Sequence, residues 1–86
     1  MQPIVDDGFI IVPYEGDSQA RVEIGLSALI GEEPRRWYAA YLDYHDGNRI
    51  AKVMVPEKEK GLDKPIPCNV YIRVNGGVMK AGTVSV

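Results

Sequence analysis

The sequence predicts an all-β fold, a small barrel or two-sheet sandwich of about six antiparallel strands with two β-hairpins. Apolar and polar residues alternate almost without interruption from residue 20 to residue 30, which is the period of a half-buried strand. Asp46-Gly47 and Asn75-Gly76 each lie between apolar stretches and suit the two left-handed positions of a type I′ turn. Six prolines and nine glycines leave little room for a long helix. The 86 residues are expected to form a single domain, 1–86.

The first third of the chain supplies two of the predicted strands. Residues 1–7 contain a proline and two acidic residues and are interpreted as a tail or a short edge segment. Residues 8–13 form an apolar run between a glycine and a proline, which favours a buried strand because so short a helix is unstable. The alternating stretch after it places Val22, Ile24 and Leu26 on one face, where we expect them in the core.

The stretch from Arg35 to Pro56 is predicted to be a β-hairpin, and it holds the single tryptophan and three of the five tyrosines. With Asp46-Gly47 as its two-residue loop, His45 faces Asn48 and Leu42 faces Ala51. Continued outward on the expected core face, this register pairs Ala40 with Val53 and Tyr38 with Val55.

The opposite face of this hairpin is the candidate functional surface. It is predicted to carry four pairs: Trp37 with Pro56, Ala39 with Met54, Tyr41 with Lys52, and Asp43 with Ile50. Such a face is too apolar for plain solvent and too charged for a deep core. Two interpretations stay open, because the face can lie under a loop as a partial second core or against a binding partner.

A second hairpin is predicted after a solvated loop. The loop covers residues 57–65, which alternate in charge and end with a glycine and a proline. A turn at Asn75-Gly76 places Tyr71 opposite Lys80, whereas a turn at Gly76-Gly77 would place Arg73 there. The like charges of the second register favour the first, which puts Val70 and Ile72 on the core face.

Composition indicates a soluble globular domain, with 45% hydrophobic and 26% charged residues. The net charge of −2 is unevenly distributed, because residues 1–34 carry −6 and residues 35–86 carry +4. This division either creates opposed poles on the surface or vanishes because the fold interleaves the two segments.

A cytoplasmic protein without membrane contact is expected. The longest uncharged apolar run, residues 8–14, is far shorter than a membrane span, and acidic residues occupy positions where a signal peptide would carry basic ones. Cys68 is the only cysteine, so no intrachain disulfide can form, and a small buried hydrophobe is its expected role.

The sequence contains no clear catalytic, metal or cofactor motif, and we therefore predict a non-enzymatic protein without cofactors. His45 has Asp43 and Asp46 nearby, but nothing in the sequence brings a nucleophile such as Cys68 or Ser27 to it. One histidine and one cysteine cannot complete a structural zinc site. Asn75-Gly76-Gly77 lacks the following helix and the Lys-Ser/Thr pair of a phosphate-binding loop.

The preferred hypothesis is a protein-binding or self-assembling β module, with a homo-oligomer as the expected form of self-assembly. Its interface is predicted from aromatic, methionine and basic side chains, several of which are enriched at interface centres. These residues are Arg36, Trp37, Tyr41, Ile50, Lys52 and Met54. A structural subunit or an inhibitor that acts by occlusion fits this description, including a viral one, although no residue is diagnostic of that origin.

The alternative hypothesis is a small barrel that binds single-stranded nucleic acid through the same aromatic and basic face. Its expected contacts are Arg35, Arg36, Trp37, Tyr41, Arg49 and Lys52. The acidic net charge and the lack of a basic run weigh against this alternative. The two hypotheses differ in how strongly binding should depend on the basic side chains.

Overall fold

The computed structural model describes residues 1–28 and 32–86, and within them eight strands form two antiparallel sheets. In chain order the strands are β1 (Ile4–Asp6), β2 (Phe9–Pro13), β3 (Val22–Ser27), β4 (Tyr38–Ala39), β5 (Tyr41–His45), β6 (Asn48–Met54), β7 (Pro67–Val74) and β8 (Gly77–Ser85). A 3₁₀ turn, Glu57–Glu59, follows β6 in the predicted solvated loop. No helix in the two described ranges is long and apolar enough to cross a membrane.

Sheet A has the order β1-β2-β6-β5, and sheet B has the order β4-β3-β7-β8. The two sheets pack face to face as a small sandwich, which confirms the predicted all-β fold class. The described strands number eight instead of about six. One additional strand is β1, which forms an N-terminal hairpin with β2. The other arises because one predicted strand is divided into β4 and β5.

Three hairpin turns have the same chemistry and the same backbone conformation. Both loop residues have positive φ at Asp7-Gly8 (50° and 80°), at Asp46-Gly47 (50° and 79°) and at Asn75-Gly76 (49° and 90°). The second and third turns were predicted. The first turn was not predicted, but of the two interpretations of residues 1–7 the short edge segment is correct, because Ile4–Asp6 pairs with β2 at the edge of its sheet. The dipeptide Asp7-Gly8 is the sequence feature that could have predicted this turn.

The registers set by the two predicted turns are confirmed next to those turns. His45 lies opposite Asn48, and Leu42 lies opposite Ala51. In the second hairpin Tyr71 lies opposite Lys80, the register favoured by charge. A two-residue type I′ turn therefore determined strand pairing over its immediate neighbours in both cases.

The register of the 35–56 hairpin ends at Tyr41, because the chain leaves sheet A there. The backbone N–H of Ala40 donates to the Val22 carbonyl at 2.9 Å. Tyr38–Ala39 pairs with β3 in sheet B. Four predicted pairs are therefore wrong: Ala40 with Val53, Tyr38 with Val55, Ala39 with Met54, and Trp37 with Pro56. A strand that bends at a corner can complete the edges of two sheets, and this satisfies backbone groups of β3 as well as β6.

The core lies between the sheets. Its buried members are Ile10, Val12, Tyr14, Val22, Ile24, Leu26, Ala51, Val53, Cys68, Val70, Ile72, Val84 and Val86. The predicted core residues Ala40, Leu42 and Val55 are half-buried and pack against this cluster. The alternating strand ends at Ser27, and Ala28 is exposed. The predicted continuation through residues 29 and 30 lies outside the described residues.

The fold interleaves the acidic and basic segments of the chain. Strand β2 lies beside β6, and β3 lies beside β7, so each sheet contains strands from both segments. An ion pair between Glu23 of β3 and Arg73 of β7 joins them directly, with Nε 2.9 Å from Oε1. This is the second of the two arrangements that the charge distribution left open.

Replacement of Ile24 by alanine should lower the free energy of unfolding by about 2–5 kcal/mol. Ile24 is fully buried in β3, a central strand of sheet B, so the change leaves a cavity between the sheets. Urea unfolding followed by circular dichroism measures the effect. The control is Ile4→Ala in edge strand β1, where the side chain is 36% exposed and the loss should be much smaller. Equal losses would contradict the placement of the core.

Candidate protein interface

The outer face of sheet A is the surface on which most of the predicted interface residues lie. Residues Ile10, Val12, Ala51 and Val53 point into the core, so their neighbours along β2 and β6 point the other way. The outer face contains Ile4, Asp6, Phe9, Ile11, Tyr41, Asp43, His45, Ile50, Lys52 and Met54.

This face is concave along one diagonal of the sheet. Asp6 and His45 lie at opposite corners by strand register, yet His45 Nε2 is 3.9 Å from Asp6 Oδ2. The right-handed twist of a four-stranded sheet brings two diagonal corners toward the same side. Between these corners is a groove of about 180 Å³ whose lining includes Phe9, Ile11 and Ile50.

Ile50 was predicted as an exposed interface residue, and this prediction is wrong. Its side chain is 1% exposed, and Ile11 beside it is 4% exposed, although both point away from the main core. Both line the groove, together with Phe9 and Lys52. These two isoleucines are buried outside the main core cluster, which agrees with a partial second core, one of the interpretations left open for this face.

Lys52 is held in place on the outer face. Its Nζ lies 2.8 Å from Asp43 Oδ2 and 4.7 Å from the centroid of the Phe9 ring. The hydrogen bond from Lys52, followed by one from the Tyr44 backbone N–H, lowers the pKa of Asp43 below its usual value. The lysine is thus fixed by an ion pair and by a cation–π contact.

Two large apolar side chains flank this fixed lysine and are open to solvent. Tyr41 and Met54 are each 66% exposed. Tyr41 lies directly opposite Lys52, and Met54 lies opposite the half-buried Phe9. We call Phe9, Tyr41, Lys52 and Met54 the Tyr41–Met54 patch.

Trp37 does not belong to this patch, contrary to the prediction. The segment before β4 crosses the outer face of sheet B at Gly25, where a Cβ atom would lie 2.6 Å from Cβ of Pro34. Only glycine leaves room for this crossing. The Trp37 ring lies against Arg73 of β7, with 4.3 Å between the ring centroid and Cζ. The departure of the chain from sheet A at Ala40 is the physical reason for the separation.

Arg73 connects Trp37 to an ion pair on the outer face of sheet B. Its Nε and Nη2 atoms donate to the two carboxylate oxygens of Glu23, at 2.9 and 3.0 Å. The hydrogen bond from Arg73 is the main cause of a lowered pKa at Glu23. The guanidinium is therefore engaged both at its edge and on its face, and the half-buried Trp37 stabilises this arrangement.

The basic residues of the nucleic-acid alternative are dispersed. Arg49 donates from Nη2 to the Gly16 carbonyl at 2.6 Å and from Nη1 to the Glu15 carbonyl at 3.4 Å, so it fastens the turn after β2. Arg35 and Arg36 are exposed on the segment that leads to β4. Lys52 is paired with Asp43. Of the four basic residues predicted to contact nucleic acid, only Arg35 and Arg36 therefore have neither an ion pair nor a hydrogen bond to a carbonyl group among the described residues.

His45 and Cys68 do not come together. Cys68 is 4% exposed in the core, where burial raises the pKa of its thiol, whereas His45 lies on the outer face of sheet A. The described residues contain no group of three or more His, Cys, Asp or Glu side chains arranged to hold a metal ion.

Comparisons with protein-family models, curated proteins and solved structures found no match. The candidate interface therefore rests on its own geometry.

Replacement of Glu23 by glutamine should reduce the melting temperature at neutral pH, and the difference from the wild type should shrink in acid. The folded protein holds the pKa of Glu23 below its usual value, so the ion pair stabilises the fold above the pKa of the unfolded chain. That stabilisation is lost as the pH falls below about 4, where glutamate takes up a proton. Calorimetry between neutral and acid pH measures both curves.

A matched control is Glu57→Gln, which removes an exposed ion pair with Lys60 and should change the melting temperature little. A difference between wild type and Glu23→Gln that stays constant down to acid pH would contradict the role given to the Glu23–Arg73 pair.

Proposed function

We propose that this protein binds another protein through the Tyr41–Met54 patch. The observation that carries the proposal is the exposure of Tyr41 and Met54 on either side of a lysine that already has an ion-pair partner and an aromatic contact within the fold. Tyrosine and methionine are enriched at the centres of protein interfaces, and exposed side chains of this size gain the most from burial.

Lys52 supports the proposal because binding a partner would cost it little side-chain entropy. A lysine that is free in solution loses side-chain entropy when a partner immobilises it. Here Asp43 and Phe9 already hold Lys52 in one position. The patch is therefore preorganised in its centre, and such preorganisation increases affinity without additional contacts. A structural subunit or an inhibitor that acts by occlusion fits this mode of action, because neither needs a catalytic group.

Nucleic-acid binding has less support from the geometry. Single-strand binding combines stacking aromatic residues with free basic groups along one groove. Trp37 and Tyr41 lie on different sheets, and Arg49 and Lys52 are already engaged within the fold. The two exposed arginines, Arg35 and Arg36, are neighbours in the chain, but the other two basic residues of the predicted set, Arg49 and Lys52, are engaged elsewhere in the fold.

Replacement of Tyr41 by alanine should weaken binding by about 2 kcal/mol or more, a loss of at least about thirtyfold in affinity. Ligands are selected from a displayed library against the immobilised wild-type protein and then titrated by calorimetry against each variant. The matched control is Tyr44→Ala in the same strand: Tyr44 is 68% exposed, successive side chains of a strand alternate in direction, and Tyr44 borders the neighbouring groove, whose lining does not include Tyr41 or Met54. We expect the selected ligands to retain their affinity for the control.

Two results would contradict this proposal. One is a set of selected ligands that lose affinity for Tyr44→Ala but not for Tyr41→Ala. The other is tight binding of a fluorescent single-stranded oligothymidine that weakens with salt and on Arg36→Ala, since this dependence is typical of phosphate contacts.

A further inference from the structure

The four edges of the two sheets differ in how well they are protected. In sheet B the edge strand β4 has two residues, and in sheet A the edge strand β1 has three. Short edges offer few groups for pairing with another chain. The edge strand β5 is longer, but the Asp43 carboxylate accepts a hydrogen bond from the Tyr44 backbone N–H at 2.8 Å. The side chain therefore caps an N–H group that a pairing strand would need.

The fourth edge, β8, is the longest and the least protected. It has nine residues, and in the part of the chain that the structure describes no strand pairs with its outer side. Pro3 lies beside Gly82, with its Cδ atom 2.7 Å from the position of a Cβ atom there, so the N-terminal segment approaches the second half of this strand. The first half remains open, and it contains Val78 at 37% and Met79 at 64% exposure.

Hairpin geometry identifies the backbone groups that point outward from this open half. The type I′ turn at Asn75-Gly76 makes Val74 and Gly77 a hydrogen-bonded pair. Along two antiparallel strands, hydrogen-bonded residue pairs alternate with pairs that are not hydrogen-bonded. The N–H and C=O groups of Val78 and Lys80 therefore point away from β7, toward the free edge.

We propose that the open half of β8 pairs with β8 of a second copy of this chain, antiparallel and about a two-fold axis at Met79. In this register Val78 lies opposite Lys80 of the second copy, and Lys80 lies opposite its Val78. All the outward N–H and C=O groups of these two residues then find partners. Met79 lies opposite Met79 as a non-bonded pair, with the Cα atoms about 4.5 Å apart.

The side chains are compatible with this self-pairing. The two Lys80 residues do not face each other, and the exposed Met79 side chains contact each other across the axis. The corresponding self-pairing of two β5 strands would be unfavourable. The outward residues there would be Leu42 and Tyr44, and Asp43 would lie opposite Asp43 of the second copy. Like charges directly across a strand pair are unfavourable, so the fold permits self-pairing at β8 and opposes it at β5.

This association is separate from the Tyr41–Met54 patch, which lies on the other sheet. Pairing through β8 joins two copies of sheet B into one eight-stranded sheet and yields a closed dimer. The dimer does not depend on the proposed binding function, and each can be tested without the other.

The first experiment compares Met79→Glu with Met54→Glu by sedimentation equilibrium, from low micromolar to millimolar concentration. The two methionines have nearly equal exposure, 64% and 66%, but only Met79 lies on the proposed axis. We expect the wild type and Met54→Glu to dimerise. Met79→Glu should raise the dimer dissociation constant at least about tenfold, because it places two carboxylates opposite each other at the axis. Circular dichroism checks that both variants are folded.

The second experiment tests the register with Met79→Cys, using Met54→Cys as the control and oxidised glutathione as the oxidant. The expected Cα separation at the axis lies within the range of a disulfide. Covalent dimer should form readily in Met79→Cys and not in the control, and buried Cys68 should not react. A wild type that stays monomeric throughout would overturn the proposal. Equal dissociation constants for the two glutamate variants would also overturn it.

Discussion

The passage of the chain from sheet B to sheet A at Ala40 is the constraint on which the rest of the structure depends. One continuous segment supplies β4 to one sheet and β5 to the other, with a hydrogen bond from Ala40 to Val22 at the corner. This link holds the two sheets together along one side, while β1 and β8 approach each other on the other side through Pro3 and Gly82. The core is therefore enclosed on both sides by a chain of only 86 residues.

The twist of sheet A divides its outer face into a buried and an exposed part. Along one diagonal the corners approach each other near Asp6 and His45, and Ile11 and Ile50 are buried between them. Tyr41 and Met54 lie away from that diagonal and remain open to solvent. A single property of β-strands, their right-handed twist, therefore accounts both for the burial of two isoleucines outside the main core and for the exposed patch beside them.

The proposed dimer and the proposed binding patch would reinforce each other. Pairing through β8 leaves the outer face of sheet A free on each copy, so a dimer would present two Tyr41–Met54 patches. Two linked sites bind a repeated or multivalent partner more tightly than one site does, provided that the spacing allows both to engage. Modest affinity at each patch would then be enough for stable attachment.

The sequence by itself determined the elements whose causes are local. Asp46-Gly47 and Asn75-Gly76 set two registers, and alternation predicted β3 and its core residues, because turn geometry and strand period act over a few residues. Asp7-Gly8 carried the same signal for β1. The tertiary structure alone decided where the chain changes sheets and which outer-face residues are covered. Tyr41, Lys52 and Met54 share the predicted face, whereas Trp37 is removed from it by the bend at Ala40 and Ile50 is buried by sheet coiling. Both outcomes depend on contacts between distant strands, which no short stretch of sequence specifies.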